Sequence, residues 1–73
     1  MFVRSKNTPI SARIAEDKFF DRTRWHVLVR EPGRDEWKAG VAENLPSAII
    51  LAQAAIHHVA AGKVWYSPDW DDE

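Results

Sequence analysis

Three histidines, four serines and a carboxylate-rich end are the groups through which this 73-residue chain could do chemistry. His57 and His58 are adjacent in a segment that reads as a helix. Their rings therefore diverge by about 100°, whereas a shared metal needs ligands three or four residues apart. His26 stands alone in an alternating segment, and each imidazole reads as solvated or at an edge. Ser5, Ser11, Ser47 and Ser67 lie in no nucleophile-elbow context. Gly33, Gly40 and Gly62 are too scattered to cradle a phosphate. Asp69, Asp71, Asp72 and Glu73 lack the glycine-punctuated spacing of a calcium loop and read as a solvated acidic tail. There is no cysteine, so thiol chemistry and thiolate-zinc sites are excluded, and a reducing compartment is favoured. A chain this short also has little room for a catalytic cleft and its supporting shell. The expectation is a non-enzymatic protein with no cofactor and no metal.

Charge is unevenly placed. Ten Lys and Arg face eleven Asp and Glu, for a formal net charge of −1. Residues 1–34 carry eight basic side chains against four acidic ones, and residues 35–73 carry two against seven. Met1-Phe2-Val3 is followed at once by Arg4, Lys6 and Pro9, which is no leader pattern. The uncharged run 44–62 is too short, and too interrupted by Pro46, Gln53, His57 and His58, to span a bilayer. The chain reads as a single cytoplasmic domain over 1–73, with a mobile acidic tail at 71–73.

The elements follow from periodicity. Arg24–Arg30 and Glu36–Ala42 both alternate, and "EPGRD" between them carries a Pro-Gly turn signal. An odd-length loop with Arg30 opposite Glu36 puts Trp25, Val27, Val29, Trp37, Ala39 and Val41 on one buried face and adds a cross-strand charge pair. Ile10, Ala12 and Ile14 alternate in a third strand, preferred over a helix starting at Thr8-Pro9 because β-branched residues recur at a spacing of two. "DKFFDRT" then becomes a loop with Phe19 or Phe20 turned inward. A helix follows, with Pro46 in its first turn and Gly62 at its C-terminal cap. Ala48, Ile49, Ala52, Ala55, Ile56 and Val59 form its core stripe, with Leu51 at the edge. "KVWY" reads as a short strand over 63–66 or an extended cover for the core. The fold class is α+β: a three-stranded antiparallel sheet, with room for a fourth strand, and one helix on one face, in the order β-β-β-α(-β). The expected core is Ile14, Trp25, Val27, Val29, Trp37, Val41, Ile49, Ala52, Ile56 and Val59, with the aromatic residues supplying its bulk.

Two binding roles compete. The first is a protein-binding module, an adaptor or an inhibitor of a larger complex, the kind of part played by small phage-encoded inhibitors, although no family motif is present. Its contact residues are Ile50, Ala54, His57 and Ala61 on the charge-free outer helix face, an exposed Leu28, and the acidic Asp71, Asp72 and Glu73. The partner is a protein of unknown identity or, most simply, a second copy joined helix to helix. The second role is nucleic-acid binding by the sheet face away from the helix, through Arg13, His26, Arg30 and Lys38, with Arg24 and Arg34 near its rim. The neutral-to-acidic net charge favours the first.

Overall fold

The computed structural model describes residues 1–65. Four strands, β1 (Phe2–Arg4), β2 (Ser11–Phe19), β3 (Arg22–Arg30) and β4 (Trp37–Ala42), precede one helix, α1 (Leu45–Ala60). The strands form one antiparallel sheet in chain order, β1-β2-β3-β4, and the helix packs on one face. The α+β expectation holds, but the fourth strand is N-terminal. Phe2–Arg4 pairs with Ser11–Arg13, fixed by Ile14 N–H donating to the Met1 carbonyl at 2.8 Å. Lys63–Trp65 is not a strand. Of these residues only Trp65 packs on the core, its Nε1–H donating to the Ala39 carbonyl at 2.9 Å, while Lys63 and Val64 are exposed and Tyr66 lies outside the described residues. That bond occupies one of the open carbonyls of edge strand β4.

The segment "DKFFDRT" is not a loop. β2 runs to Phe19 and pairs with β3 as far as Phe19↔Arg22, leaving Phe20-Asp21 as a two-residue turn. Phe20 has φ 57° there, in the left-handed region, and neither phenylalanine turns inward: Phe19 is 62% exposed and Phe20 91%. No apolar alternation marks Glu16–Phe19, because these residues are exposed on both faces of a ribbon that extends past the packed core. Periodicity records burial, and an unburied strand leaves none to read.

The β3–β4 register begins as expected, with Val29 opposite Trp37. Pro32-Gly33 forms the turn, with Gly33 at φ 76° and Arg34 N–H donating to the Glu31 carbonyl at 3.2 Å. This is the Pro-then-Gly pattern of a type II turn. Beyond Lys38 the register shifts by one residue at a bulge, so Gly40 faces Val27 and Ala42 faces Trp25. Val41 is thereby turned to the face away from the helix, opposite His26 and only half-buried, and Ala42 takes its expected place in the core.

α1 has Pro46 in its first turn and Gly62 at its C-terminal end, as its sequence predicts. Its N-cap is Asn44, whose Oδ1 accepts the Ser47 N–H at 2.8 Å. At the other end Gly62 (φ 78°) donates to Val59 and Lys63 to His58, the paired bonds of a Schellman motif. The buried core is Ala12, Ile14, Val27, Val29, Ala39, Ala42, Ala48, Ala52, Ala55 and Ile56. Its bulk is not aromatic. Trp25, Trp37 and Trp65 ring it half-buried, with Ile49 and Leu51. Facing alanines from helix and sheet bring the two layers too close to admit an indole between them.

Candidate binding surface

Strand alternation sends every second side chain to the sheet face that α1 leaves open. The register places Phe2 and Arg4 of β1 there, followed by Ser11, Arg13, Ala15, Asp17 and Phe19 of β2. β3 adds Arg22, Arg24, His26, Leu28 and Arg30, and β4 adds Lys38 and Val41. Glu36 joins them through its contact with Arg13. The face thus gathers Arg4, Arg13, Arg22, Arg24, Arg30 and Lys38 against Asp17 and Glu36, a formal excess of four positive charges on a chain whose total is −1.

Both carboxylates are engaged. Glu36 accepts two bonds from the Arg13 guanidinium, from Nη2 at 2.7 Å and from Nε at 3.2 Å. These bonds hold the Glu36 carboxyl below its usual range; partial desolvation opposes them, and the charges of Arg13 and Arg30 add to them. The Arg13 guanidinium is held correspondingly more firmly protonated by the same bonds and charge. The cross-strand charge pair expected between Arg30 and Glu36 is instead a bidentate pair with Arg13, two strands away, and Arg30 adds only its charge. Asp17 Oδ2 lies 3.2 Å from His26 Nε2. Arg22 and Arg24 form no ion pair with any other described residue and stand exposed.

The four sequence-chosen residues Arg13, His26, Arg30 and Lys38 do share this face. Leu28 lies among them, opposite Arg13 and Lys38, and is half-buried by these neighbours rather than exposed. Arg34 is elsewhere, at the β3–β4 turn, donating at 3.2 Å to the Glu31 carboxylate that also accepts the Trp37 indole N–H at 2.7 Å. Sequence reasoning missed Phe2, Arg4, Phe19 and Arg22, since it assigned neither β1 nor the outer half of the β2–β3 ribbon. "FVR" before a proline-containing loop was the only signal for the first.

On the opposite side of the molecule Ile50, Gln53, Ala54, His57 and Ala61 are all exposed, Ile50 at 66%. A broad cleft of about 650 Å³ adjoins them, between the helix and the β1–β2 loop, lined by Val3, Asn7, Gln53, Ile56 and His57 among others. Asp71, Asp72 and Glu73 lie outside the described residues. No three His, Asp or Glu side chains among the described residues are grouped to hold a metal, and none of their helices is long and apolar enough to cross a membrane. No protein-family model matches the chain, and neither a curated protein nor a solved structure matches it.

Proposed function

We propose that the protein binds nucleic acid through the open face of its sheet, without catalysis. One observation carries this reading: the register collects most of the chain's cations on one face, with Glu36 paired to Arg13 and Asp17 within hydrogen-bond distance of His26. Net charge alone points to a protein partner, but a ligand meets a face, and the local potential of a surface decides what it attracts. Cations spaced by strand geometry fit a polyphosphate, whose affinity rests on counterion release. A reducing, cytoplasmic setting accords with the absence of cysteine. The test is binding of a labelled oligonucleotide across a salt series, comparing wild type with Arg22→Gln/Arg24→Gln/Arg30→Gln. If each arginine meets a phosphate, the triple variant lowers the slope of log K on log salt by about 2 to 3. No binding to any oligonucleotide at low salt overturns the reading.

A second reading keeps the outer face of α1 as a contact for a protein, with a second copy of this chain the simplest occupant. It is favoured by the exposed Ile50 on a helix face bearing no formal charge. Charge depletion marks the centres of interfaces. Ala54→Glu puts a carboxylate at the middle of this face while respecting helix propensity. Sedimentation of both proteins decides: a dimeric wild type and a monomeric, folded variant support the reading, and a wild type that stays monomeric at high concentration removes the dimer.

A further inference from the structure

The open face carries rings as well as charges. Phe19 stands on it beside Arg22, 62% exposed, and Phe2 stands on it beside Arg13, 63% exposed, with the Arg4 guanidinium 5.8 Å from its ring centroid. Phe20 follows at the turn, 91% exposed, its ring edge-on to Phe19 at 4.5 Å. None of these rings supports the core, whose members lie elsewhere. Phe19 lies six residue steps along β2 from Arg13, the partner of Phe2, which is about 20 Å of strand at about 3.3 Å per residue. That is the length of about six stacked nucleotides at about 3.4 Å each. Arg22 and Arg24 lie on the neighbouring strand within this interval.

Resting on the nucleic-acid reading above, we infer that the ligand is a single strand, held by stacking of its bases on Phe19, Phe20 and Phe2 while the arginines between them contact phosphates. A phenyl ring gains from a base only where the base shows its face. In a duplex those faces are buried in the stack, and only edges and phosphates are offered. Single-strand binders combine just these two features, a cationic track and exposed aromatic platforms. The backbone at the tip agrees. A phenylalanine in the left-handed region is strained, in a turn position that glycine fills without steric cost and asparagine at a lower cost than phenylalanine. Its ring then extends from the end of the ribbon into solvent rather than repaying that strain by burial. A lipid surface is a poorer occupant, because Asp21 shares the turn with Phe20 and would enter the membrane with it.

The experiment measures the affinities of the full chain for labelled dT15, rU15 and a 15-base-pair duplex at two salt concentrations. It compares wild type, Phe19→Ala, Phe2→Ala and Phe20→Asn, each checked for its fold by circular dichroism, with Arg24→Gln as the charge control. The expected result is tighter binding of both single strands than of the duplex. Phe19→Ala then loses about 5- to 150-fold on the single strands, the cost of one stacked base, with an unchanged salt slope. Arg24→Gln lowers the slope instead. Phe20→Asn, which relieves the backbone, separates ring from fold by weakening binding while the protein becomes no less stable. Duplex binding as tight as single-strand binding, or phenylalanine variants that keep wild-type affinity while Arg24→Gln loses it, overturns stacking and leaves the nucleic-acid reading standing. Binding of rU15 but not dT15 overturns it in favour of 2′-hydroxyl recognition. Absence of binding to all three at low salt overturns both inferences together.

Discussion

Glu36 is where charge on the sheet face is tuned. Its carboxylate is ionised at a lower pH in the folded chain than in the unfolded one, because Arg13 donates two hydrogen bonds to the charged form. The linkage runs in one direction. A depressed folded-state pKa gives a stabilising contribution that is fully present above the ordinary glutamate range and is lost as pH falls through the folded value. The pair is solvent-exposed, so the contribution is small and weakens with salt. The expected outcome is a Glu36 carboxyl titration, followed by carbon NMR, with its midpoint below the usual glutamate value; Arg13→Gln returns it toward that value. A midpoint that does not move in Arg13→Gln would show that the pair does not persist in solution. This pair was not legible in the sequence. Glu36 lies six residues from Arg30 and 23 from Arg13, and only the sheet order brings the more distant arginine within reach.

Among the elements, those with chemical punctuation were readable and those defined by packing were not. Pro32-Gly33, Pro46 and Gly62 mark a turn and two helix ends by backbone requirements that act locally, and all three stand where those residues predict. The β4 bulge has only a weak mark, Gly40, since an isolated glycine inside a strand accompanies a bulge or a close backbone approach. Strict alternation would bury Val41 and expose Gly40; the observed shift instead buries Gly40 and Ala42 beneath a helix whose inner stripe is alanine. The choice belongs to the close approach of two layers, which no window of β4 contains. The Phe20-Asp21 turn is the inverse case, since its sequence argues against the conformation it adopts. An L-residue other than glycine in the left-handed region costs about 1–2 kcal/mol. Phe20→Asn is therefore expected to stabilise the protein by about 0.5–1 kcal/mol, the strain relieved less the Phe19 ring contact given up. Denaturant titration measures it as a higher midpoint at unchanged slope. A lower midpoint would mean that the ring pair contributes more than the backbone strain costs.

For the molecule as a whole, the formal charge of −1 conceals two surfaces of different character: a cationic sheet face, and a helix face bare of charge. Their separation follows from the fold. The basic residues lie mostly in the strand-forming first half, at alternating positions that share a face, and the helix between Leu45 and Ala60 carries no formal charge at all. Asp69, Asp71, Asp72 and Glu73 supply four of the eleven negative charges in that total and lie outside the described residues. Removing Asp71, Asp72 and Glu73 tests which surface the ligand uses, because it changes the net charge from −1 to +2 and leaves every described residue in place. With a nucleic-acid ligand the truncated chain should bind more tightly at low salt, chiefly through faster association. That gain should fade as salt approaches about 0.15 M, where the screening length is about 8 Å. With a basic protein partner the sign reverses, and the truncated chain associates more slowly. Stopped-flow association at two salt concentrations reads that sign, and a melting temperature unchanged by truncation shows that the rate reports charge rather than a weakened fold.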